Sequence, residues 1–131
     1  MLKQVFLVNT DLKMTCGKTC VQIAHAETLY MESVMVDYAD LVAVYQTIFS
    51  KYEQWKDGSV KPIGMMLKVV LKATEQQMNS LIDTLKERDI KHYDVYDLGY
   101  TQIKKGSFTC LCTEPLEKEI ADEIFGHLKL F

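Results

Sequence analysis

The sequence has 131 residues, of which 48% are hydrophobic and 25% are charged, and its formal net charge at pH 7 is −3. This length predicts a single domain, residues 1–131, with one sizeable core, and the composition excludes a disordered chain. The small negative net charge argues against nucleic-acid binding by the whole surface, but it allows a local basic patch.

No targeting or membrane segment is expected. The first residues, "MLKQVFLVNT", lack the features of a secretory signal peptide, and no apolar stretch approaches the ~20 residues that span a bilayer. The four cysteines are too few for a disulfide scaffold, so we expect reduced thiols, a cytoplasmic location and no membrane partner.

The first half of the chain predicts one strand and two helices. Residues 3–9 form an apolar run typical of a buried strand, and a helical pattern covers 18–35. Its apolar stripe contains Val21, Ala24, Thr28 and Met31, with Ile23, Ala26 and Tyr30 beside it. A second helix is predicted over 37–55, capped by Asp37 or Asp40, with an apolar face of Leu41, Val44, Tyr45, Ile48 and Phe49.

The second half predicts three strands and two helices. After a Gly- and Pro-containing loop (57–64), a strand is predicted over 65–73 and a helix over 74–89, with a Thr cap and a core face of Met78, Leu81, Ile82 and Leu85. Strands follow at 90–98 and 106–114. In the latter, Phe108, Cys110 and Cys112 alternate with Thr109 and Leu111. A final helix is predicted over 114–128, with Pro115 near its first turn.

The predicted order is β-α-α-β-α-β-β-α, which indicates an α/β fold with a four-stranded mixed sheet and helices on both faces. The segment "GYTQIKKG" is too short for a crossover helix, so the third and fourth strands are antiparallel neighbours or are joined by a wide active loop. Ligands of such sheets bind beyond the carboxyl ends of the strands, which selects the loops after strands one and three.

The segment "DLKMTCGKTCVQIAHA" (11–26) lies in the first of these loops. Its "GKT" matches the end of a phosphate-binding loop, but Leu12 stands where that motif requires glycine. A metal site is a second interpretation, since Cys16, Cys20 and His25 are close in sequence. No second closely spaced pair completes a structural site, and Cys110 and Cys112 are typical of buried core thiols. A reactive thiol at Cys16 is a further alternative.

A third interpretation is a catalytic corner. Lys18, Gln22 and His25 share one helical face at i, i+4 and i+7. Asp97 ends the third strand, and Thr101 and Thr109 flank the following loop. A carboxylate, an amine and hydroxyls at one edge can hold a water molecule and a polarised carbonyl, as ester hydrolysis requires. The alternative is a salt bridge with a half-buried histidine and two turn-forming threonines.

Three segments resemble the archaeal and eukaryotic class of peptidyl-tRNA hydrolases. "DLKMTCGKTCVQIAHA" is similar to that family's D-L-K-M-G-K-G-K-x-x-x-Q-x-x-H-A. "DLGYTQIKKGSFT" is similar to D-A-G-R-T-Q-I-x-x-G-T-x-T, and the closing "GHLKLF" matches G-H-L-K-L followed by an apolar residue.

The resemblance implies an α/β domain with a four-stranded mixed sheet, commonly dimeric, that cleaves the ester linking a peptide to the terminal ribose of tRNA. The implied catalytic residues are Lys18, Asp97, Thr101 and Thr109, with Gln22 and His25 as supporting matches. No metal and no organic cofactor are implied.

The chain departs from the family pattern at three positions. Thr15 and Cys16 replace the first Gly-Lys pair, and Tyr100 replaces an arginine. The loss of two cations weakens phosphate contacts, which Lys13, Lys104 and Lys105 can partly restore, while Tyr100 can stack on a base or ribose. The alternatives to peptidyl-tRNA hydrolysis are a non-catalytic tRNA- or protein-binding homologue and a hydrolase of another acyl ester.

Overall fold

The computed structural model describes residues 1–39, 47–57, 66–100 and 102–131, which build an α/β fold around one open mixed sheet. In chain order the elements are β1 (Leu2–Asn9), a 3-10 turn (Thr10–Leu12), α1 (Cys16–Ala39), α2 (Thr47–Asp57), β2 (Lys68–Ala73), α3 (Glu75–Glu87), β3 (His92–Tyr96), β4 (Phe108–Thr113), β5 (Leu116–Glu117) and α4 (Lys118–Phe125).

The strand order is β2-β1-β4-β3. Strand β1 is parallel to β2 and antiparallel to β4, and β4 is antiparallel to β3. Strands β1, β2 and β3 therefore run in one direction, and their carboxyl ends share one edge of the sheet. The predicted mixed sheet is confirmed, as is the antiparallel pairing of β3 with β4. The two-residue β5, which pairs with the start of β1, is an addition.

The sheet separates two hydrophobic clusters, because successive side chains of a strand point to opposite faces. Val5 and Leu7 of β1 pack with α3 and α4 on one face. Phe6 and Val8 pack on the other face with α1 and with Trp55 of α2. The predicted helices on both faces are therefore confirmed.

Helix α3 follows its sequence pattern closely. Thr74 and Gln77 form a capping box in which each side chain accepts a hydrogen bond from the other residue's backbone N–H. The predicted core face is buried: Met78, Leu81, Ile82 and Leu85. This helix confirms that an amphipathic pattern with a clear cap is sufficient to predict an element.

Helix α1 is longer than predicted and buries a different stripe. It continues to Ala39, so Asp37 lies inside α1 and does not cap a second helix, while Asp40 lies outside the described residues. Its buried apolar residues are Ala26, Tyr30 and Val34, whereas Val21 is 49% exposed. Ala26 is small enough for the helix to approach the sheet, and its carbonyl accepts a hydrogen bond from the Cys112 thiol at 3.3 Å. The predicted stripe is therefore rotated away from the core.

Helix α2 is described over Thr47–Asp57. Leu41, Val44 and Tyr45 of its expected face lie outside the described residues, as do the side chains of Ile48 and Phe49. Trp55 anchors the described part. Its side chain is 2% exposed, its indole N–H donates to the Leu67 carbonyl at 3.0 Å, and the Lys68 ammonium lies 4.3 Å from its ring centroid.

The prediction of a helix from residue 114 is wrong, because Pro115 precedes β5 rather than opening a helix. Leu116 pairs with Lys3 and is buried. As an added strand, this segment buries the Leu116 side chain and forms backbone pairing with β1. Helix α4 starts only at Lys118. Among the described residues, no helix has the length and apolar character required to cross a membrane.

Candidate active site

Lys18 and Asp97 meet at the carboxyl edge of the sheet. Lys18 lies in the first turn of α1, which follows the loop after β1, and Asp97 comes directly after β3. The Lys18 Nζ atom is 2.5 Å from Oδ2 of Asp97, and the two side chains are only 12% and 10% exposed. The sequence prediction brought these two residues to one edge, and the structure brings them into direct contact.

The Asp97 carboxylate is held ionised by its neighbours. The Lys18 ammonium donates a hydrogen bond to it, and the Gly99 N–H donates to its second oxygen at 2.6 Å. These two interactions hold the pKa of Asp97 below its usual value, with smaller help from the Gln22 amide. The pair is therefore a fixed ammonium–carboxylate couple near neutral pH.

A buried hydrogen-bond chain supports this carboxylate. The Gln22 side-chain amide donates to Oδ2 of Asp97 at 3.1 Å, and its Oε1 accepts from the Thr109 hydroxyl at 2.6 Å. Gln22 and Thr109 are both fully buried. The Thr109 hydroxyl also lies 3.2 Å from the Val95 carbonyl. Thr109 thus fixes the orientation of the Gln22 amide, which in turn positions Asp97.

A β-bulge explains the position of Thr109. Tyr96 pairs with Phe108 and Val95 with Cys110, so Thr109 is an extra residue of β4 without a partner. The predicted alternation is wrong at this point, since Phe108 packs on the α3–α4 face while Cys110 and Cys112 pack on the α1 face. The extra residue lets Thr109 reach α1 although Cys110 faces the same side.

The two loops of the site are fastened to each other. Thr15, which precedes α1, exchanges hydrogen bonds with the Gln102 side chain, and its hydroxyl accepts from the Lys18 N–H at 3.3 Å. Gly99 has a φ of +79°, and a Cβ there would lie 2.4 Å from the backbone nitrogen of Lys105. The glycine therefore allows the loop to fold tightly beside Asp97. Gln102 belongs to the "TQI" of the second motif, but it is not among the residues predicted for the site.

A cleft of about 540 Å³ opens from the Lys18–Asp97 pair between α1 and β3. Gln22, His25 and Tyr100, for which substrate contacts are predicted, also line it. Thr109 does not line it, because this residue lies behind Gln22. Thr101 lies outside the described residues.

The three predicted phosphate-binding lysines do not line the cleft. They lie on the two loops that also carry the site, one after β1 and one after β3. Lys13 follows the 3-10 turn with a φ of 49°, and Lys104 and Lys105 lie in the loop between β3 and β4. All three are exposed. Two contacts hold the backbone of the second loop: the Lys104 carbonyl accepts from the Ser107 N–H, and the Gly106 N–H donates to the Asp97 carbonyl.

The cysteines occupy two different environments. Cys16 and Cys20 are exposed on α1, whereas Cys110 and Cys112 are buried in β4. Burial raises the pKa of Cys110 to about 12, which makes this thiol inert. In the part of the chain that the structure describes, no group of three or more His, Cys, Asp or Glu residues is arranged to hold a metal ion.

Comparison with known proteins identifies the family. The family model described as peptidyl-tRNA hydrolase PTH2 matches residues 2–131. This match includes residues 31–64, which contain none of the three quoted motifs. A peptidyl-tRNA hydrolase of Haloquadratum walsbyi is 34% identical over 99% of this chain and 100% of its own length. The chain therefore belongs to the PTH2 family of peptidyl-tRNA hydrolases.

Other relatives agree with this assignment. A peptidyl-tRNA hydrolase of Methanothermobacter thermautotrophicus is 33% identical over 98% of this chain and 99% of its own length. A probable peptidyl-tRNA hydrolase 2 of Dictyostelium discoideum is 32% identical over 98% of this chain but 54% of its own length. A solved structure of a protein of unknown function from Agrobacterium, with a TM-score of 0.56 and 13% identity, covers 99% of this chain and 97% of its own and shares the fold.

Proposed function

We propose that this protein hydrolyses the ester bond of peptidyl-tRNA and releases free tRNA and peptide. The 2.5 Å contact between Lys18 and Asp97 in a cleft at the carboxyl edge of the sheet is the observation that carries the proposal. Membership of the PTH2 family supports the same substrate. Neither the fold nor the comparisons give separate support to a non-catalytic binding module or to a hydrolase of another acyl ester.

Lys18 is proposed to stabilise the charge that develops on the substrate. When water attacks the ester carbonyl carbon, the carbonyl oxygen becomes negative, and a positioned cation lowers the barrier. Collapse of the tetrahedral intermediate that forms breaks the bond between the carbonyl carbon and the ribose oxygen. A proton of the attacking water passes to this oxygen, so the products are the peptide acid and the free ribose hydroxyl of tRNA. Because the Lys18 side chain is only 12% exposed, its interaction with the oxygen is weakly screened by solvent.

Asp97 is proposed to position Lys18 and to bind the attacking water. Its lowered pKa makes the carboxylate a weak base, so its orienting role matters more than its proton affinity. Gln22 supports the carboxylate directly, and Thr109 acts through Gln22. Thr101 stays a predicted partner of the water or the carboxylate, on the strength of the motif alone.

Contacts with the tRNA are proposed for the exposed residues around the cleft. Lys13, Lys104 and Lys105 are proposed to bind phosphates, because exposed ammonium groups on the adjoining loops can follow a phosphate backbone. Tyr100 is 88% exposed and lines the cleft, so its ring is available to stack on a base or ribose. His25 is proposed to contact the substrate from α1.

A homodimer and a cytoplasmic location are part of the proposal. The dimer rests on the family resemblance, and light scattering of the purified protein tests it. A cytoplasmic location suits an enzyme whose substrate arises during translation, and a reducing compartment suits the exposed Cys16 and Cys20 thiols. The organisation of the chain as one domain likewise stays a prediction.

The experiment that tests the function is release of free tRNA from an N-acetylated aminoacyl-tRNA by the purified protein. We expect turnover well above spontaneous hydrolysis. Tight tRNA binding without release, by protein whose folding is verified by circular dichroism, would indicate a binding module instead. Release from a simple acyl ester but not from the tRNA ester would indicate another substrate.

A further inference from the structure

The cleft follows the free edge of the sheet. Strand β3 is the last strand in the order β2-β1-β4-β3, so among the described residues its outer side has no strand partner. Helix α1 forms the opposite wall, where Lys18, Gln22, His25 and Leu29 lie on one face. Leu29 follows Lys18 by eleven positions, so the wall is about 16 Å long at the helical rise.

Backbone groups of β3 point into this cleft. The Asp97 N–H donates to the Ser107 carbonyl and therefore points toward β4. Residues of an antiparallel strand direct their backbone groups alternately toward and away from the partner strand. Asp94 and Tyr96 therefore direct their N–H and C=O groups away from β4, and both residues line the cleft.

The polarity of the cleft indicates which part of the substrate enters it. Lys18 is the only lysine or arginine among the described residues that line it. The exposed Lys13, Lys104 and Lys105 lie on the loops at the Lys18 end. With the ester at Lys18, the tRNA extends toward these lysines and the peptide extends along β3.

We propose that the peptide of the substrate binds in extended conformation along the free edge of β3 as an added, parallel strand. This inference rests on the proposed function. The carboxyl end of the peptide lies at Asp97 and its preceding residues run back toward His92, so the peptide has the direction of β3. At ~3.3 Å per residue, the cleft accommodates four to five residues. Main-chain pairing of this kind accepts different peptide sequences.

The first test varies the length of the peptide on one tRNA with a constant C-terminal residue. We expect kcat/KM to rise from one to about four residues and then to level off. N-methylation of successive peptide amides should reduce kcat/KM in alternation, by about fivefold where an N–H faces β3 and little at the next residue, because a typical net hydrogen bond corresponds to a factor of that order. Equal rates for all lengths, with no alternation, would overturn the inference.

The second test changes the strand. Tyr96→Pro removes an outward N–H, which an edge strand tolerates, and Tyr96→Ala removes the ring but keeps this N–H. We expect the proline variant to lose the dependence of kcat/KM on peptide length and the alanine variant to retain it. The N-methyl series applies to the unmodified protein and stands even if the proline variant fails to fold.

The outcomes separate this inference from the proposed function. No release from a substrate of any length would contradict the hydrolase assignment itself. Release at rates independent of length would leave the hydrolase assignment intact and refute the strand-addition inference. If Tyr96→Pro alters the oligomeric state of the protein without altering the length dependence, the edge of β3 pairs with a second copy, which also refutes the inference.

Discussion

Thr109 shows how a buried hydroxyl can control a site that it does not line. Its hydroxyl donates to Gln22, whose amide donates to Asp97, so the orientation of the carboxylate depends on a residue inside the sheet. The neighbouring Thr113 is equally buried, but its hydroxyl accepts from the Val5 N–H and has no connection to the cleft.

These two threonines provide a matched pair of substitutions. We expect Thr109→Val and Thr113→Val each to destabilise the protein by about 1–3 kcal/mol, because each leaves a buried polar group without its partner. Only Thr109→Val should lower kcat. Urea unfolding and the tRNA-release assay measure the two effects, and an equal loss of kcat in both variants would show that the role of Thr109 is structural alone.

The lowered pKa of Asp97 predicts the direction of a pH effect on stability. Its pKa in the folded protein is below the unfolded value of about 3.9. The ionised carboxylate therefore stabilises the fold above the unfolded pKa, and this contribution is lost as the pH falls through the folded pKa.

The stability difference between the natural protein and Asp97→Asn should therefore be constant near neutrality and should shrink below about pH 4. Denaturant unfolding at a series of pH values measures it. A difference that shrinks between pH 6 and 8 would contradict the assigned ionisation of this pair.

Cys16 separates the proposed chemistry from a thiol mechanism. It stands in α1 where the family pattern has a lysine, and it is exposed. Because no step assigned here uses a thiol, Cys16→Ser should leave turnover nearly unchanged in the release assay. Loss of activity in this variant, with full activity in Asp97→Asn, would assign the chemistry to the thiol.

At the scale of elements, the cap at the N-terminus of α3 should affect the stability of the protein but not its activity. Thr74 caps α3, and Asp11 accepts a hydrogen bond from the Glu75 N–H at the same helix end. Thr74→Ala should cost about 1 kcal/mol of stability, because it removes the capping side chain. Thr84→Ala, in the last turn of the same helix, should change stability by less than about 0.5 kcal/mol.

Thermal unfolding and the release assay should show the first variant destabilised and both fully active below their melting temperatures. Equal stabilities for the two variants would show that the capping box contributes little to α3.

The elements that the sequence predicted well have a single dominant signal. Strand β1 is buried on both faces, and α3 has a cap and a clear apolar face. The errors arise where two signals compete. Pro115 suits a helix start, yet Leu116 is buried by pairing with β1. The bulge at Thr109 adds one residue to β4 without interrupting the alternation of residue types in the sequence. The alternation therefore cannot reveal it.

The candidate site was predictable in part for the same reason. Motifs located Lys18 and Asp97, and strand direction brought them to one edge. The contact of Gln22 with both Asp97 and Thr109 depends on the depth of α1 against the sheet. That depth is set by the packing of Ala26, Tyr30 and Val34. The sequence pattern placed Ala26 and Tyr30 only beside its apolar stripe and did not include Val34.

At the scale of the whole molecule, the protein has a net charge of −3, yet its substrate is a polyanion. Lys13, Lys104 and Lys105 are therefore expected to carry much of the phosphate binding. Replacing all three with alanine should raise KM and reduce its dependence on salt, with a slope in log KM against log[salt] lower by up to about three. The value of kcat should change little.

A matched control replaces three lysines near the opposite edge of the sheet: Lys86, Lys91 and Lys118. All three are exposed, and this variant has the same net charge. If it raises KM as much as the first triple variant does, the overall charge matters rather than the loops around the cleft.

The central claim is that Lys18 and Asp97 act as a unit in ester hydrolysis, and a double-mutant cycle on kcat/KM with N-acetyl-aminoacyl-tRNA tests it most directly. Lys18→Ala and Asp97→Asn should each reduce turnover by roughly 10²–10⁴ in folded protein. The double variant should lose far less than the product of the two effects, because either change disables the same unit. Strictly multiplicative losses, or near-normal turnover in either single variant, would contradict the account.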